Sequence, residues 1–226
     1  KDPSLSARLN AELPGEVAQA CRRLSIPLAH ISTDAVFDGL RGDYTEQDPA
    51  NPQGVYAADK LRGEQAVAAA DPAAIIARVT FYGWSLAGSR SLGEFFVHNL
   101  AAGKPVNGFT DVIFCPLLVD ALAETLVEML ALELNGLYHV LSRENLSKYQ
   151  FGVNIARRFG FDPALVRPTA VADSGLLAPR PPNLTLRVDK LEAALGHAMP
   201  GQAEMLERYY RQYLAGYPKM IQGFGS

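Results

Sequence analysis

The segment Ala73-Ala74-Ile75-Ile76-Ala77-Arg78-Val79 constrains this chain more than any other. Its apolar residues run on without alternating, so both faces of an extended segment must be covered, which is the situation of a strand inside a parallel sheet. Shorter runs of the same kind occupy residues 27–31 and 137–141. Around them lie segments with helical character: 9–24, bent at Pro14 and stopped by Ser25 and Pro27; 53–70, stopped by Asp71-Pro72; 92–102, closed by Gly103; and 116–134, opened by proline and closed by Asn135-Gly136. A further helix, capped by Ser147, is expected to run to Gly160. Short strands are expected at 166–171 and 184–188, and closing helices at 189–195 and 203–215. Strands alternating with helices of ten or more residues predict an α/β fold, a parallel sheet with helices on both faces. Residues 34–52 carry Asp-Gly, Asp-Pro and Asn-Pro and read as loop; 173–183 reads as a stiff proline-rich connector.

With 226 residues, 48% of them apolar, one domain with an added lobe is the default. A net charge of -3 and interspersed signs argue against a nucleic-acid partner, which would want a basic face. Cys21 and Cys115 stand far apart and read as buried small hydrophobes in a reducing compartment. His30, His98, His139 and His197 are scattered, so no metal site is expected. No apolar run reaches the roughly 18 residues that cross a bilayer, and no signal peptide is visible, so a cytoplasmic, membrane-free protein is expected. The chain opens at Lys1 with a helix already under way, as if the numbering began inside a larger protein.

Tyr56 and Lys60 stand four apart in a helical segment, hence on one face. An ammonium that close to a phenol favours the phenolate and should lower the tyrosine pKa from about 10. That chemistry suits handing a proton to a carbonyl oxygen while hydride reaches its carbon. His30-Ile31-Ser32-Thr33-Asp34 ends an apolar run in hydroxyls and would supply a third member at a strand end, where open α/β sheets bind ligands. The plainer reading makes Tyr56 a core tyrosine, Lys60 a partner of Glu64 worth about 0.3 kcal/mol, and Thr33 the start of a turn. Against it, Gly63 costs the helix close to 1 kcal/mol relative to alanine, which makes sense where a backbone or a cofactor approaches closely. Phe95-Phe96 and Tyr209-Tyr210 suit helix packing. Arg180 would either clamp a diphosphate or lie exposed on its loop.

The stretches Ile31-Ser32-Thr33-Asp34-Ala35-Val36-Phe37-Asp38-Gly39, Tyr56-Ala57-Ala58-Asp59-Lys60 with Gly63-Glu64, Ala77-Arg78-Val79-Thr80-Phe81-Tyr82-Gly83 and Gly136-Leu137-Tyr138-His139-Val140 carry a family likeness. Through them the chain resembles the extended short-chain dehydrogenase/reductases, and within these the dTDP-4-dehydrorhamnose reductase group. The resemblance implies a Rossmann-like parallel sheet (1–83 and 113–141) with a small α+β substrate-binding lobe (84–112 and 142–226). It implies NADPH or NADH as cofactor, a nucleotide-sugar substrate, and a homodimer as the oligomer to test for. Position by position, Tyr56 would be the general acid, Thr33 would orient the substrate carbonyl, and Lys60 would hold the cofactor ribose. Ser32, Arg78 and Thr80 would line the cofactor; Phe81 and Arg180 would meet the sugar nucleotide. Ala35 stands where dehydrating relatives carry an acid, so reduction is expected rather than 4,6-dehydration. The family's glycine-rich phosphate loop is absent from the sequence; in family order it precedes Lys1, so a fragment or trimmed form is expected. The alternatives are an epimerase, another short-chain reductase, or a non-catalytic homologue like the methionine adenosyltransferase regulatory subunit.

Overall fold

The computed structural model describes residues 2–174 and 181–224. The chain enters through α1 (Pro3–Ala7), a π turn (Arg8–Glu12) and α2 (Leu13–Leu24). Pro14 lies just past the π turn, in helical backbone that runs on through Glu12 and Leu13, so the irregularity expected at the proline is taken up as that π turn. The first sheet strand, β1 (Ala29–Thr33), leads by a 3-10 turn and a long loop to α3 (Val55–Ala70). Then follow β2 (Ile75–Val79), β3 (Phe81–Tyr82), α4 (Leu92–Ala101), β4 (Val106–Phe109), β5 (Ile113–Phe114) and β6 (Leu117–Leu118). The rest is α5 (Val119–Ala131), β7 (Gly136–His139), β8 (Leu146–Ser147), α6 (Lys148–Phe159), β9 (Val166–Thr169), β10 (Asn183–Leu184), α7 (Asp189–Leu195), α8 (Gln202–Leu214) and α9 (Tyr217–Gln222).

The central sheet has the order β1-β2-β7, all parallel. All five residues of β2 are buried, as its unbroken apolar run requires. Strand alternation divides them: Ile76 packs with Ala18 and Val67 of α2 and α3, while Ile75, Ala77 and Val79 join the main core with Leu122 and Met129 of α5. Beyond the carboxyl end of β2, β3 pairs with β6; β5 pairs with β8 and β10, and β4 with β9.

One expectation is corrected and one unforeseen element is added. Residues 116–134 are not one helix, because Leu117 donates its N–H to the Thr80 carbonyl (3.0 Å) and Leu118 stays extended, so sheet pairing takes the first turn. The 106–109 strand is unannounced by the sequence, since Gly108 is a poor strand former; it is needed there because a side chain would overlap the Tyr149 backbone. Of the 173–183 connector, 175–180 lie outside the described residues; its far end is tied down by Asn183 N–H to the Gly39 carbonyl (2.9 Å). No described helix is long and apolar enough to cross a membrane.

Gly63 on α3 lies against the π turn, and a Cβ there would overlap the Asn10 carbonyl oxygen. The close approach inferred from this glycine is thus made by backbone. Gly63→Ala tests it through the sign of its effect. Helix propensity alone would stabilise by about 1 kcal/mol, whereas overlap should cost about 1–3 kcal/mol, read as a lowered urea midpoint. A raised midpoint would refute the contact.

Candidate active site

Thr33 closes β1 and caps the 3-10 turn behind it: its hydroxyl accepts from Ala35 N–H (3.2 Å) and donates to Asp34 Oδ1 (3.1 Å). The first turn of α3 brings Tyr56, a residue more than half exposed, to the same strand end, where its phenol lies against the Thr33 side chain. One turn on, Lys60 is buried and its Nζ donates to the Ile31 carbonyl at 2.5 Å. Thr33, Tyr56 and Lys60 therefore meet at the carboxyl end of the sheet.

Their electrostatics differ from the sequence expectation. The Tyr56 phenol is raised, not lowered, by burial first and by the Asp34 charge second, with the Thr33 contact opposing. Lys60 spends its ammonium on the backbone of β1 instead of on the phenol. Burial pulls its pKa down, and Glu64 opposes that.

Nor is Glu64 given to Lys60 as its ion-pair partner. It grips Arg78 in a buried two-point bridge, Nε to Oε1 at 3.0 Å and Nη2 to Oε2 at 2.8 Å, and accepts from the Ser32 hydroxyl at 2.5 Å. Ser32 and Arg78 are register partners on neighbouring strands, so one carboxylate from α3 takes both. Arg78 also lies over the Phe37 ring, 4.9 Å from its centroid. Two of the three side chains expected to line a cofactor, Ser32 and Arg78, are thus committed to Glu64. Thr80 hydrogen bonds to Asp34. Phe81 is half-exposed and walls a cavity of about 330 Å³ with Trp84, Ser91, Arg90 and Val119. Its loop is pinned by buried Glu94, which accepts from Ser85 N–H and hydroxyl, both at 2.7 Å. Arg180 lies outside the described residues.

Asp34, Glu64 and Arg90 are the residues that sequence reasoning left out. A lone arginine in an apolar strand was the available sign that a buried acid must face it. A larger cavity of about 510 Å³, beside Cys21, Leu28, Asp71 and Leu134, opens at the amino ends of the strands, opposite the end where such sheets bind ligands.

The RmlD substrate binding domain model matches residues 1–215. A protein of Haloferax volcanii named "Probable low-salt glycan biosynthesis reductase" is 35% identical over 203 residues, covering 88% of this chain and 68% of that protein. The dTDP-4-dehydrorhamnose reductase of Mycobacterium tuberculosis is 37% identical over 182 residues, 76% of this chain and 58% of its own length. The chain thus spans between half and about two thirds of these relatives. Among solved structures, dTDP-4-dehydrorhamnose reductase from Bacillus anthracis in complex with NADP superposes with a TM-score of 0.85 at 26% identity, covering 93% of this chain and 74% of that one.

Removing one partner of the buried pair should be costly. Glu64→Ala leaves the Arg78 guanidinium buried without its countercharge and should cost about 3–5 kcal/mol in urea unfolding, whereas Glu64→Leu with Arg78→Met should cost far less. A double variant as unstable as the single would show that charge is not the issue.

The histidines set a second expectation. Burial, then the Lys60 charge, pushes His30 down to about 4, and burial pushes His139 down likewise. Unfolded histidines titrate near ~6.5, so between that pH and about 4 the unfolded chain binds more protons. Stability is then lost as pH falls through that window. Asp34, raised to about 6 by burial, works the other way, its contribution being lost as pH rises from ~3.9 to about 6. The two histidines outweigh the one acid, so the urea midpoint should drop between pH 7 and 5. His139→Gln should flatten the drop, and an unchanged slope would contradict the assignment.

Proposed function

This chain belongs to the RmlD substrate binding domain family, and from that premise we propose that it carries the chemistry of an NAD(P)H-dependent reductase of a nucleotide-activated 4-keto-6-deoxy sugar. The observation that supports this reading most is the meeting of Thr33, Tyr56 and Lys60 at one strand end, beside an aromatic cavity holding an arginine.

The cofactor's fit follows from the donor set. Lys60, one of whose three N–H groups bonds Ile31 O, suits ribose hydroxyls, and Tyr56 and Thr33 suit the nicotinamide end. The sequence has no glycine-rich pyrophosphate turn, so the ribose-nicotinamide end is what these residues fit. Ser32, Arg78 and Thr80 support it from beneath, through Glu64 and Asp34. When bound, the reduced nicotinamide supplies the hydride. Thr33 donates a hydrogen bond to the keto oxygen, and Tyr56 gives that oxygen its proton as negative charge develops. A phenol with a raised pKa suits the task, because it holds its proton until the alkoxide appears. In this reading residues 84–112 and 142–226 form the sugar-nucleotide lobe, with Phe81 and Trp84 against the hexose and Arg90 on the diphosphate. Ala35 leaves no acid where a dehydratase needs one.

The intact gene product should consume NADPH or NADH stoichiometrically with a dTDP-4-keto-6-deoxy sugar; no consumption with either cofactor rejects the reading. Tyr56→Phe should lower kcat on the order of 10²- to 10⁴-fold while cofactor affinity, followed by nicotinamide fluorescence, holds. Turnover near wild type would remove Tyr56 from the role.

A further inference from the structure

Asp34 is a buried acid that the chemistry above leaves without a role. It sits between two hydroxyls: Thr33 donates to its Oδ1 at 3.1 Å, and Thr80 bonds it from the end of β2. Thr33 in turn touches the Tyr56 phenol. Exchangeable protons therefore line up from the half-exposed phenol, through one adjacent hydroxyl, to a carboxyl inside the protein. The other groups bearing on Asp34 are the Ala35 N–H, the Lys148 ammonium of α6 and the Cys115 thiol. Lys148 acts more weakly on it than either threonine or that backbone N–H. Glu64, equally deep, instead pairs with the Arg78 guanidinium at 2.8 Å.

Resting on the reductase reading, we propose that Asp34 is a positioning residue that stores the proton for Tyr56 and delivers it through the Thr33 hydroxyl. Once Tyr56 has protonated the substrate oxygen it is a phenolate, and bound substrate covers its open face. The Thr33 O–H bond then breaks as its proton joins Tyr56 Oη. At the same moment the carboxyl O–H of Asp34 breaks and its proton joins Thr33 Oγ1. The electron pair stays on Asp34 as carboxylate, one proton has moved in net, and nothing is oxidised or reduced. After product leaves, the line runs backwards: Tyr56 Oη passes its proton to Thr33 Oγ1 as Thr33 passes its own to the Asp34 carboxylate, and the exposed phenolate so formed takes a proton from solvent. Burial, which raises Asp34 to about 6, makes the carboxyl a fillable store near neutral pH, where an ordinary aspartate would be empty.

The test is the pH profile of kcat for keto-sugar reduction at saturating NADPH in the intact protein. Wild type should lose turnover as pH rises through an ionisation near 6. Asp34→Asn should abolish that inflection and lower kcat about tenfold or more. Lys148→Met should move the inflection to higher pH, since it removes a charge that favours the carboxylate. Independently of turnover, Asp34→Asn should lower the Tyr56 ionisation followed by phenolate absorbance, because the Asp34 charge raises it. A wild-type profile in Asp34→Asn overturns the inference. If that variant does not fold, an unmoved inflection in Lys148→Met overturns it. Should Tyr56→Phe retain turnover, the parent reading falls first; an inactive Tyr56→Phe beside an unchanged Asp34→Asn profile defeats the proton store alone.

Discussion

The two-point bridge between Glu64 and Arg78 fixes everything above it. It joins α3 to the central strand and, through Ser32, to the edge strand as well. Two opposite charges removed from water repay their desolvation only where the geometry is good and the remaining lone pairs are filled. Here the carboxylate meets a guanidinium fork and a hydroxyl, and the guanidinium rests on an aromatic face. The bridge lies one helical turn below Lys60 and two below Tyr56, so it sets the height and rotation at which α3 presents both to the end of β1.

With that frame fixed, the site divides its two buried acids by environment. Glu64 faces the Arg78 guanidinium at contact distance and accepts the Ser32 hydroxyl besides. Asp34 faces hydroxyls and one backbone N–H, and its burial prevails. Two buried acids at one strand end are thus set apart by what faces them, the separation of roles that acid–base sites achieve through surroundings and not residue type. Burial first and the Asp34 charge second raise the Tyr56 phenol, although an ammonium stands one turn away.

The sequence was readable where local rules decide. The unbroken run of β2, the Ser147 cap and Gly160 stop of α6, and the shared face of Tyr56 and Lys60 follow from periodicity and capping alone. Gly63 announced a close neighbour correctly, but could not say that it is the Asn10 carbonyl. The destination of the Lys60 ammonium was hidden because spacing fixes which face a side chain leaves from and says nothing about which oxygen its flexible stem reaches. The plainer reading paired Glu64 with Lys60 by the same local rule, and a strand fourteen residues away claimed it. β6 escaped for a related reason: its pairing partner is β3, over thirty residues earlier, and no window on 116–134 contains it.

The long loop after β1 shows how so small a sheet holds an exposed phenol in place. Phe37 stacks on Tyr44 at 4.3 Å, the Tyr44 hydroxyl donates to Asp38 at 2.5 Å, and Asn51 N–H returns to the Val36 carbonyl at 2.9 Å, closing the loop on itself. The same loop is tied to the far end of the chain, since the Asp43 and Tyr44 N–H groups both bond to Thr185 and Glu46 accepts from the His139 N–H. Residues flanking the reactive hydroxyls are therefore anchored to both the sheet and the C-terminal segment. Tyr56 stands just past this anchored loop, at the start of α3, so its freedom is confined to the side chain. A general acid gains from that arrangement, because only the proton must move when the oxygen in front of it becomes charged.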